Sequence, residues 1–389
     1  MNGTGKRIRV MIADDSAFMR KVLQSILIAD PQVEVIGEAR DGREAVSLAE
    51  SLKPDVITMD INMPHMDGLQ ATEVIMSSHP RPIVIVSSES REGADTTLKA
   101  LELGAIDFVA KPSSGVDLDM NSVRDELLRK LKMAAKVRVV RTAVRPKTAQ
   151  SFAAAPALAP ASVAPPQAAI SAPAAARPAP PTAGFQAGKS NGRFPIVVIA
   201  ASTGGPATLM RLIPLFPRDF PGAVLLVQHM PASFTSQFSQ QLGEIAAIRV
   251  KEAEPGEIVQ PGLLYVCPGS HHLRLSPTGR IILDDGPRIS GYRPCADVTM
   301  ETVSAFAGPM TIAVVLTGMG NDAARGVAAV KSAGGHVIAQ DEATCVIFGM
   351  PSEAIRTGCV DQVLGIDAIY NAVEKRVLYV FGAARVGAL

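Results

Sequence analysis

A serine at the end of an apolar run is the first residue of this chain that could do chemistry. Ile196–Ala200 is apolar and largely β-branched, Ser202 follows shortly after it, and two glycines and Pro206 come next. This pattern predicts a buried strand, a tight turn and a helix that opens at Pro206, where a missing N–H costs nothing. Backbone N–H groups at such a terminus can stabilise an oxyanion. Ser202 is therefore a candidate nucleophile, with a helix N-cap as the alternative.

A hydroxyl nucleophile needs a neighbouring base, and that base needs a carboxylate to fix its tautomer. His229 closes one predicted strand and Asp322 follows another. Both would lie with Ser202 at the carboxyl edge of a parallel sheet, whereas His336 opens its strand and would lie at the opposite edge. Position alone leaves three further candidates for base or acid, which are His271, His272 and Asp341.

Polar residues also follow apolar runs in the first third of the chain, and they are Asp14, Asp15, Asp60, Ser87 and Lys111. Three carboxylates at one sheet edge repel one another unless a cation lies among them, and hard oxygen ligands suit Mg²⁺. A lysine there can hold a phosphoryl oxygen. The set predicts phosphoryl transfer to a carboxylate, for which the protein supplies position and charge neutralisation.

Alternating strand and helix patterns position these acidic residues. The strand-like runs are Ile8–Ala13, Val33–Glu38, Val56–Met59, Ile83–Ser87 and Ile106–Ala110, with amphipathic segments such as Ala17–Ile28 and Arg43–Leu52 between them. This alternation predicts a five-stranded parallel sheet with helices on both faces and ligands beyond the carboxyl ends of its strands.

The second half of the chain has a similar α/β pattern. Its strand candidates are Ile196–Ala200, Ala223–His229, Leu263–Pro268, Leu273–Leu275, Ile281–Asp284, Thr311–Gly318, His336–Gln340 and Gln362–Gly365. Turn residues Pro277 and Gly279 indicate a β-hairpin between two of these runs. We expect a doubly wound, mainly parallel α/β domain with one hairpin, and the sequence has no glycine-rich nucleotide-binding motif.

The segment between the two α/β regions has two compositions. Residues 129–148 contain eight lysines and arginines and no acid, which fits a solvated helix end or, alternatively, a docking site for an acidic partner. Residues 151–184 contain 15 Ala, 8 Pro and one charged residue, which predicts an extended linker. We therefore expect domains at 1–128 and 193–389, joined by a linker at 129–192.

Composition excludes several classes of protein. The 389 residues carry a net charge of +1 and are 47% hydrophobic, without the charge excess of a nucleic-acid binder. No apolar run reaches the roughly 20 residues that span a bilayer, and the N-terminus lacks the apolar segment of a signal peptide. The four cysteines lack metal-ligand spacing and are expected as buried free thiols. We expect a cytoplasmic protein with neither nucleic-acid binding nor membrane insertion.

The first domain closely resembles the receiver domain of two-component response regulators, through Asp14-Asp15, Asp60–Gly68, Val86–Ser88 and Phe108–Pro112. The resemblance implies a flavodoxin-like fold with Asp60 as phospho-acceptor. It implies a Mg²⁺ site formed by Asp14, Asp15, Asp60 and the Asn62 carbonyl. The switch that reports phosphorylation to the opposite face of the domain would consist of Ser87 and Phe108, with Lys111 beside them.

The second domain resembles the CheB family of chemotaxis protein-glutamate methylesterases. The matching motifs are Ala201–Pro206, Val227–Pro231, Cys267–His272, Arg293–Val298 and Leu316–Asp322. The resemblance implies a triad of Ser202, His229 and Asp322. It also implies an oxyanion site at the Met319 backbone and further active-site positions at Thr203 and His272.

This resemblance implies hydrolysis of glutamyl methyl esters on methyl-accepting chemotaxis receptors, with methanol as product and glutamine deamidation left open as a second activity. A chemotaxis histidine kinase would supply the phosphoryl group, and the unphosphorylated receiver would cover the active site. The ester chemistry is expected to need no cofactor. Two alternatives remain: a binding module without turnover, and an esterase of a chemosensory pathway other than swimming.

Two features depart from the family pattern. Family members commonly have glycine after the triad aspartate, whereas this chain has Ala323. We expect Ala323 to be helical, with Asp322 near the start of that helix. The second departure is the linker, which is longer than expected and leaves open how closely the two domains pack.

Overall fold

The computed structural model describes residues 6–87, 90–111, 120–137 and 194–386. Most of the expected linker lies outside these ranges. The described parts of Met1–Thr142 and Gly192–Leu389 form one compact unit. Two parallel sheets organise this unit, one in each of the two expected α/β regions.

The first sheet has the strand order β2-β1-β3-β4-β5, and all of its strands are parallel. The strands are β1 (Ile8–Ala13), β2 (Val33–Ala39), β3 (Val56–Met59), β4 (Ile83–Ser87) and β5 (Asp107–Ala110). The helices are α1 (Ala17–Ile28), α2 (Gly42–Leu52), α3 (Gly68–Ser78), α4 (Arg91–Glu102) and α5 (Met120–Ala134). The predicted five-stranded parallel fold is confirmed, and α5 includes the first part of the basic stretch.

Local sequence signals explain where α3 begins beside the acidic residues. The Asp67 carboxylate accepts the Gln70 N–H at 2.7 Å, and the Gln70 side chain accepts the Asp67 N–H at 3.2 Å, forming a capping box. Gly68 allows the helix to approach the end of β3, because a Cβ at this position would lie 2.0 Å from the Asp60 carbonyl oxygen.

The second sheet has seven parallel strands in the order β14-β13-β12-β6-β7-β9-β8, and a separate antiparallel hairpin pairs β10 with β11. The strands are β6 (Ile196–Ala201), β7 (Ala223–Gln228), β8 (Arg249–Glu252), β9 (Leu263–Val266), β10 (His272–Leu275), β11 (Ile281–Asp284), β12 (Thr311–Val315), β13 (His336–Gln340) and β14 (Gln362–Leu364). The helices are α6 (Gly205–Leu212), α7 (Ala232–Ile245), α8 (Ala296–Ala307), α9 (Ala324–Ser332), α10 (Met350–Arg356) and α11 (Ile366–Val386). This confirms the expected parallel domain with a hairpin.

The strand order creates a switch point at the centre of this sheet. The chain runs from β6 to its neighbour β7 on one side, and later returns through β12 on the other side of β6. Ligands bind at such points, beyond the carboxyl ends of the strands. Ser202 follows β6, His229 follows β7, and Asp322 follows β12.

Two smaller expectations need correction. Strand β8 was not predicted, because this edge strand is the polar sequence Arg-Val-Lys-Glu and is only partly buried. Among the four free cysteines, Cys267 and Cys295 are buried as expected, but Cys345 and Cys359 are partly exposed. Among the described helices, none is both long and apolar enough to cross a membrane.

Candidate active site and acidic cluster

Ser202 lies in the turn between β6 and α6. Its backbone N–H donates to the Thr317 carbonyl at 3.1 Å, and its carbonyl accepts from the Gln228 side chain at 3.0 Å. Gly204 is the N-cap of α6, in the left-handed region with φ of 75°, so Ser202 is not the cap. A Cβ on Gly204 would lie 2.4 Å from Val346, and one on Gly205 would lie 2.1 Å from the Gln228 amide oxygen. Glycine is therefore required at both positions, because any side chain would clash with these neighbours.

His229 and Asp322 form a direct pair, with 2.7 Å between His229 Nε2 and Asp322 Oδ2. Asp322 is buried and accepts further hydrogen bonds at 2.7–3.2 Å from the backbone N–H groups of Ala296, Asp297 and Ala323 and from the Cys295 thiol. Burial alone would raise the Asp322 pKa, but the bond and charge of His229 and these N–H groups lower the pKa to about 2. Asp322 is therefore a carboxylate that orients the imidazole.

The other imidazole nitrogen of His229 is left without a hydrogen-bond partner among the described residues. Since Asp322 accepts from Nε2, the neutral ring leaves Nδ1 as its basic nitrogen. Nδ1 is buried and has no hydrogen-bond partner among the described residues. Ser202 and His229 both line a cavity of about 420 Å³. No hydrogen bond joins their side chains within the described residues, a looseness that is common in unliganded active sites.

The predicted supporting residues differ in their placement. A Cβ on Gly318 would lie 2.8 Å from Ser202 Cβ, so the backbone that leads into Met319 packs against the serine. Thr203 lines the cavity beside Ser202. His272 is buried in β10, where Nε2 lies 3.0 Å from the Pro287 carbonyl, and it is not among the residues that line this cavity.

The two other candidates lie elsewhere. His271 Nδ1 is 3.4 Å from the Gly269 carbonyl in the loop before β10. Asp341 accepts the Thr344 N–H at 2.9 Å after β13. His336 opens β13 as expected and pairs with Asp361 at 3.3 Å.

Receiver residues form the opposite wall of the cavity that contains Ser202. They are Ala110, Lys111, Val123, Glu126, Arg129 and Lys130. The Phe108 ring packs against Phe234 of α7, with 4.4 Å between ring centroids. Residues of the first domain therefore line the same cavity as Ser202, and one of its aromatic rings contacts the second domain.

A buried polar contact connects this receiver wall with the turn that contains Ser202. Asp107 accepts a hydrogen bond from the Thr203 hydroxyl and another from Lys130 Nζ at 3.0 Å. Lys130 also donates to the Phe108 carbonyl at 2.6 Å and pairs with Glu126 at 2.9 Å. Sequence reasoning missed Asp107, because its partner Thr203 is remote in the chain.

The acidic cluster of the receiver is assembled as predicted. The carboxylate oxygens of Asp14, Asp15 and Asp60 lie within 4.8 Å of one another. Lys111 Nζ is 2.9 Å from Asp14 Oδ2 and 2.8 Å from Asp60 Oδ2. One lysine against three carboxylates leaves negative charge, and hard oxygen donors fit Mg²⁺. Asn62 is exposed in the loop after β3.

Burial acts in opposite directions on the pKa of Asp60 and on the pKa of Lys111. Burial raises the pKa of Asp60 above its usual range, although the hydrogen bond from Lys111 opposes the shift. For Lys111, burial would lower the pKa, but the bonds and charges of Asp60 and Asp14 outweigh burial and raise it. Lys111 is therefore a cation fixed beside Asp60.

The predicted switch residues occupy neighbouring strands. Ser87 is the last residue of β4, and its hydroxyl donates to the Gly93 carbonyl at 3.3 Å. Phe108 in β5 is buried, and Lys130 Nζ lies 5.0 Å from its ring centroid. The aromatic member of the pair thus contacts the second domain directly.

The expectation that Ala323 is helical is wrong. Ala323 has φ of 78° and ψ of −15° and precedes α9, whose first residue is Ala324. Its N–H must turn toward the Asp322 carboxylate, which it reaches at 2.9 Å. Alanine in this left-handed conformation costs about 1 kcal/mol.

A further aromatic residue lies in this site without having been predicted. The Tyr292 ring stacks on the His229 imidazole, with 4.6 Å between centroids and 17° between planes. Its only sequence signal was its place directly before the Arg293–Val298 motif.

Comparison with known proteins agrees with both regions. The response regulator receiver family model matches residues 10–121, and the CheB methylesterase family model matches residues 197–373. A Pyrococcus horikoshii protein named protein-glutamate methylesterase/protein-glutamine glutaminase is 42% identical, across 98% of this chain and 97% of that protein. A Symbiobacterium thermophilum protein of the same name is 44% identical, across 95% of this chain and 97% of that protein.

A solved structure is similar to the second domain. It is the crystal structure of the Thermotoga maritima CheB methylesterase catalytic domain, with 43% sequence identity and a TM-score of 0.46. The match covers 47% of this chain and 98% of that structure.

Proposed function

The chain belongs to the family of protein-glutamate methylesterases/protein-glutamine glutaminases, and we propose that it hydrolyses glutamyl methyl esters on methyl-accepting chemotaxis receptors. The observation that carries this proposal is that His229 pairs with Asp322 through Nε2, has no hydrogen-bond partner at Nδ1 among the described residues, and lines the same cavity as Ser202. That arrangement supplies a base with a fixed tautomer beside a hydroxyl, as acyl transfer requires.

In the proposed reaction, His229 Nδ1 takes the proton of Ser202 as the serine oxygen attacks the ester carbonyl. Asp322 stabilises the imidazolium, and its pKa of about 2 keeps it ionised. Backbone N–H groups around Met319 hold the oxyanion. The tetrahedral intermediate expels methanol, which receives the proton from His229. Water, deprotonated by His229, then attacks the acyl-enzyme, and Ser202 leaves with the returned proton.

The same residues support glutamine deamidation as a second activity. An amide carbonyl forms the same type of tetrahedral intermediate, and ammonia replaces methanol as the leaving group. The name that the relatives carry includes this glutaminase activity. Thr203 and His272 are retained as proposed active-site positions.

We propose that Asp60 accepts a phosphoryl group from a chemotaxis histidine kinase. Mg²⁺ would be held by Asp14, Asp15, Asp60 and the Asn62 carbonyl, and when bound it neutralises phosphoryl charge. Lys111 contributes a fixed positive charge next to Asp60.

The proposed regulation uses the receiver wall of the cavity. Ser87 and Phe108 would respond to phosphorylated Asp60, and Phe108 contacts Phe234. A shift of this aromatic contact would loosen the receiver cover and admit a receptor helix to Ser202. Arg288 and Arg293 line the cavity and give an acidic receptor segment complementary charge.

The decisive experiment is methanol release from methylated receptor by the full-length chain and by Ser202→Ala. We expect the serine variant to lose at least 10³-fold in kcat, as removal of a triad nucleophile does. Ser233→Ala is a matched control, because Ser233 lines the same cavity. Turnover retained by Ser202→Ala would refute the nucleophile, and no release by the unmodified chain would favour a binding module.

A further inference from the structure

Tyr292 covers one face of the catalytic imidazole. The two rings are 4.6 Å apart and inclined by only 17°, so the phenol ring lies nearly flat on His229. Tyr292 is partly buried and lines the cavity that contains Ser202. Neither the proton transfers nor the oxyanion site described above uses this residue.

A tight hairpin holds Tyr292 in position. The backbone N–H of Ile289 donates to the Tyr292 carbonyl at 3.0 Å, and the Tyr292 N–H donates to the Ile289 carbonyl at 2.9 Å. Ser290 and Gly291 between them have φ of 52° and 87°, the conformation of a two-residue type I′ turn. The Arg293 guanidinium anchors the end of this hairpin on the Asp285 and Gly286 carbonyls at 2.8 and 2.9 Å.

The residues that follow Tyr292 hold the partner of the same imidazole. Cys295 donates its thiol to Asp322 Oδ1, and the backbone N–H groups of Ala296 and Asp297 donate to the two Asp322 oxygens. One stretch of six residues, 292–297, therefore contacts both His229 and the carboxylate that orients it.

The Tyr292 hydroxyl touches the backbone that leads to the oxyanion site. A Cβ on Gly320 would lie 1.7 Å from the Tyr292 oxygen, which makes glycine necessary at this position. Tyr292 thus links the imidazole to the segment that contains Met319.

We propose that Tyr292 is a positioning residue for ester hydrolysis, which fixes the His229 ring by stacking and the Met319–Asn321 backbone through its hydroxyl. This inference rests on the proposed function. The negative face of the phenol ring attracts the imidazolium that forms when His229 takes the serine proton. Because that charge is absent in the ground state, the benefit belongs to the transition state and is expressed in kcat.

The test compares Tyr292→Leu and Tyr292→Phe in the full-length chain, with methylated receptor as substrate and a phosphodonor present. Loss of the ring in Tyr292→Leu lowers kcat about tenfold and leaves KM within about twofold. Tyr292→Phe keeps the ring, so its kcat lies between those of the unmodified chain and Tyr292→Leu. Tyr379→Leu is the control, because that tyrosine is 66% exposed on α11; it keeps full activity.

Three results would overturn the inference: an unchanged kcat in Tyr292→Leu, a raised KM with unchanged kcat, or equal losses in both Tyr292 variants. Thermal unfolding of each variant sets a common temperature at which all are folded. Methanol release by the unmodified chain separates the two proposals, since its absence refutes the proposed function whereas an unchanged kcat in Tyr292→Leu refutes only this inference.

Discussion

Two acidic clusters lie at the carboxyl edges of the two parallel sheets, and they balance their charge in different ways. In the receiver, the oxygens of Asp14, Asp15 and Asp60 converge, and Lys111 contacts two of them at 2.8–2.9 Å. One cation against three carboxylates leaves a net negative site. Such a site attracts a divalent cation and, with it, a phosphoryl group.

In the second domain, Cys295, Asp297 and Asp322 also converge. Here bound protons and hydrogen bonds from N–H groups, rather than a lysine, offset the negative charge. Burial raises the pKa of Cys295 to about 12, so the thiol stays protonated and donates to Asp322. Burial also raises the pKa of Asp297 to about 6. Asp322 alone is firmly ionised, and its oxygens are occupied by His229 and by hydrogen-bond donors.

The contrast shows that position at a sheet edge does not decide the chemistry of an acidic cluster. Unpaired oxygens beside one lysine suit a metal and phosphoryl transfer. Oxygens saturated with donors instead orient a base. The two sites are distinguished by the hydrogen-bond donors that surround their carboxylates, rather than by the number of carboxylates.

The largest expected effect comes from removing the one ionised carboxylate of the second cluster. Asp322→Asn presents an amide to His229 and no longer fixes the tautomer with free Nδ1, so kcat for methanol release should fall about 10³–10⁴-fold. Asp341→Asn is the matched control, because Asp341 only caps its own turn. A loss of less than tenfold in Asp322→Asn would remove Asp322 from the mechanism.

A smaller effect is expected at the contact between the two regions. Asp107→Asn weakens the bonds that Asp107 accepts from Thr203 and Lys130, so the receiver cover loosens. The methanol-release rate without phosphodonor should rise about threefold to tenfold, which lies within the net contribution of one hydrogen bond. Asp125→Asn, whose side chain is 69% exposed on α5, should not change it. An unchanged rate in Asp107→Asn would mean that this contact does not restrain the cover.

The smallest effect concerns Asp297, the carboxyl of the second cluster whose pKa is raised. The Asp297 pKa is about 6 in the folded chain and near 3.9 when unfolded. The folded state therefore holds this proton more tightly, and stability falls as pH rises from about 4 through 6. Asparagine cannot ionise and keeps an acceptor for the Gly326 N–H.

Urea unfolding between pH 4 and pH 7 measures this difference. The unmodified chain should lose about 2 kcal/mol more than Asp297→Asn over this interval. Asp285→Asn, in an exposed loop, should follow the unmodified chain. Parallel pH profiles for the unmodified chain and Asp297→Asn would contradict the contrast between the clusters.

Sequence predicted the architecture well because buried parallel strands are apolar on both faces. All six residues of β6 are buried, for example, and its start at Ile196 follows from the apolar run. The edge strand β8 has no such run and was missed. Strand ends also located Ser202, His229 and Asp322, since parallel strands bring their carboxyl ends together.

The rest of the site depends on geometry that residue types do not specify. The left-handed conformation of Ala323 turns its N–H toward the Asp322 carboxylate. Helix propensity does not predict this hydrogen bond. The contacts of Tyr292 with His229 and of Asp107 with Thr203 join segments far apart in sequence. His272 was expected in the active site, yet it packs against the Pro287 carbonyl outside the cavity.

We propose that the acidic cluster of the receiver controls the Ser202 site. The direct measurement is methanol release by the full-length chain and by Asp60→Asn, each with Mg²⁺ and with or without a small acyl phosphate. We expect stimulation of about 5-fold to 150-fold in the unmodified chain and a ratio near one in Asp60→Asn. Equal stimulation of both proteins would contradict it.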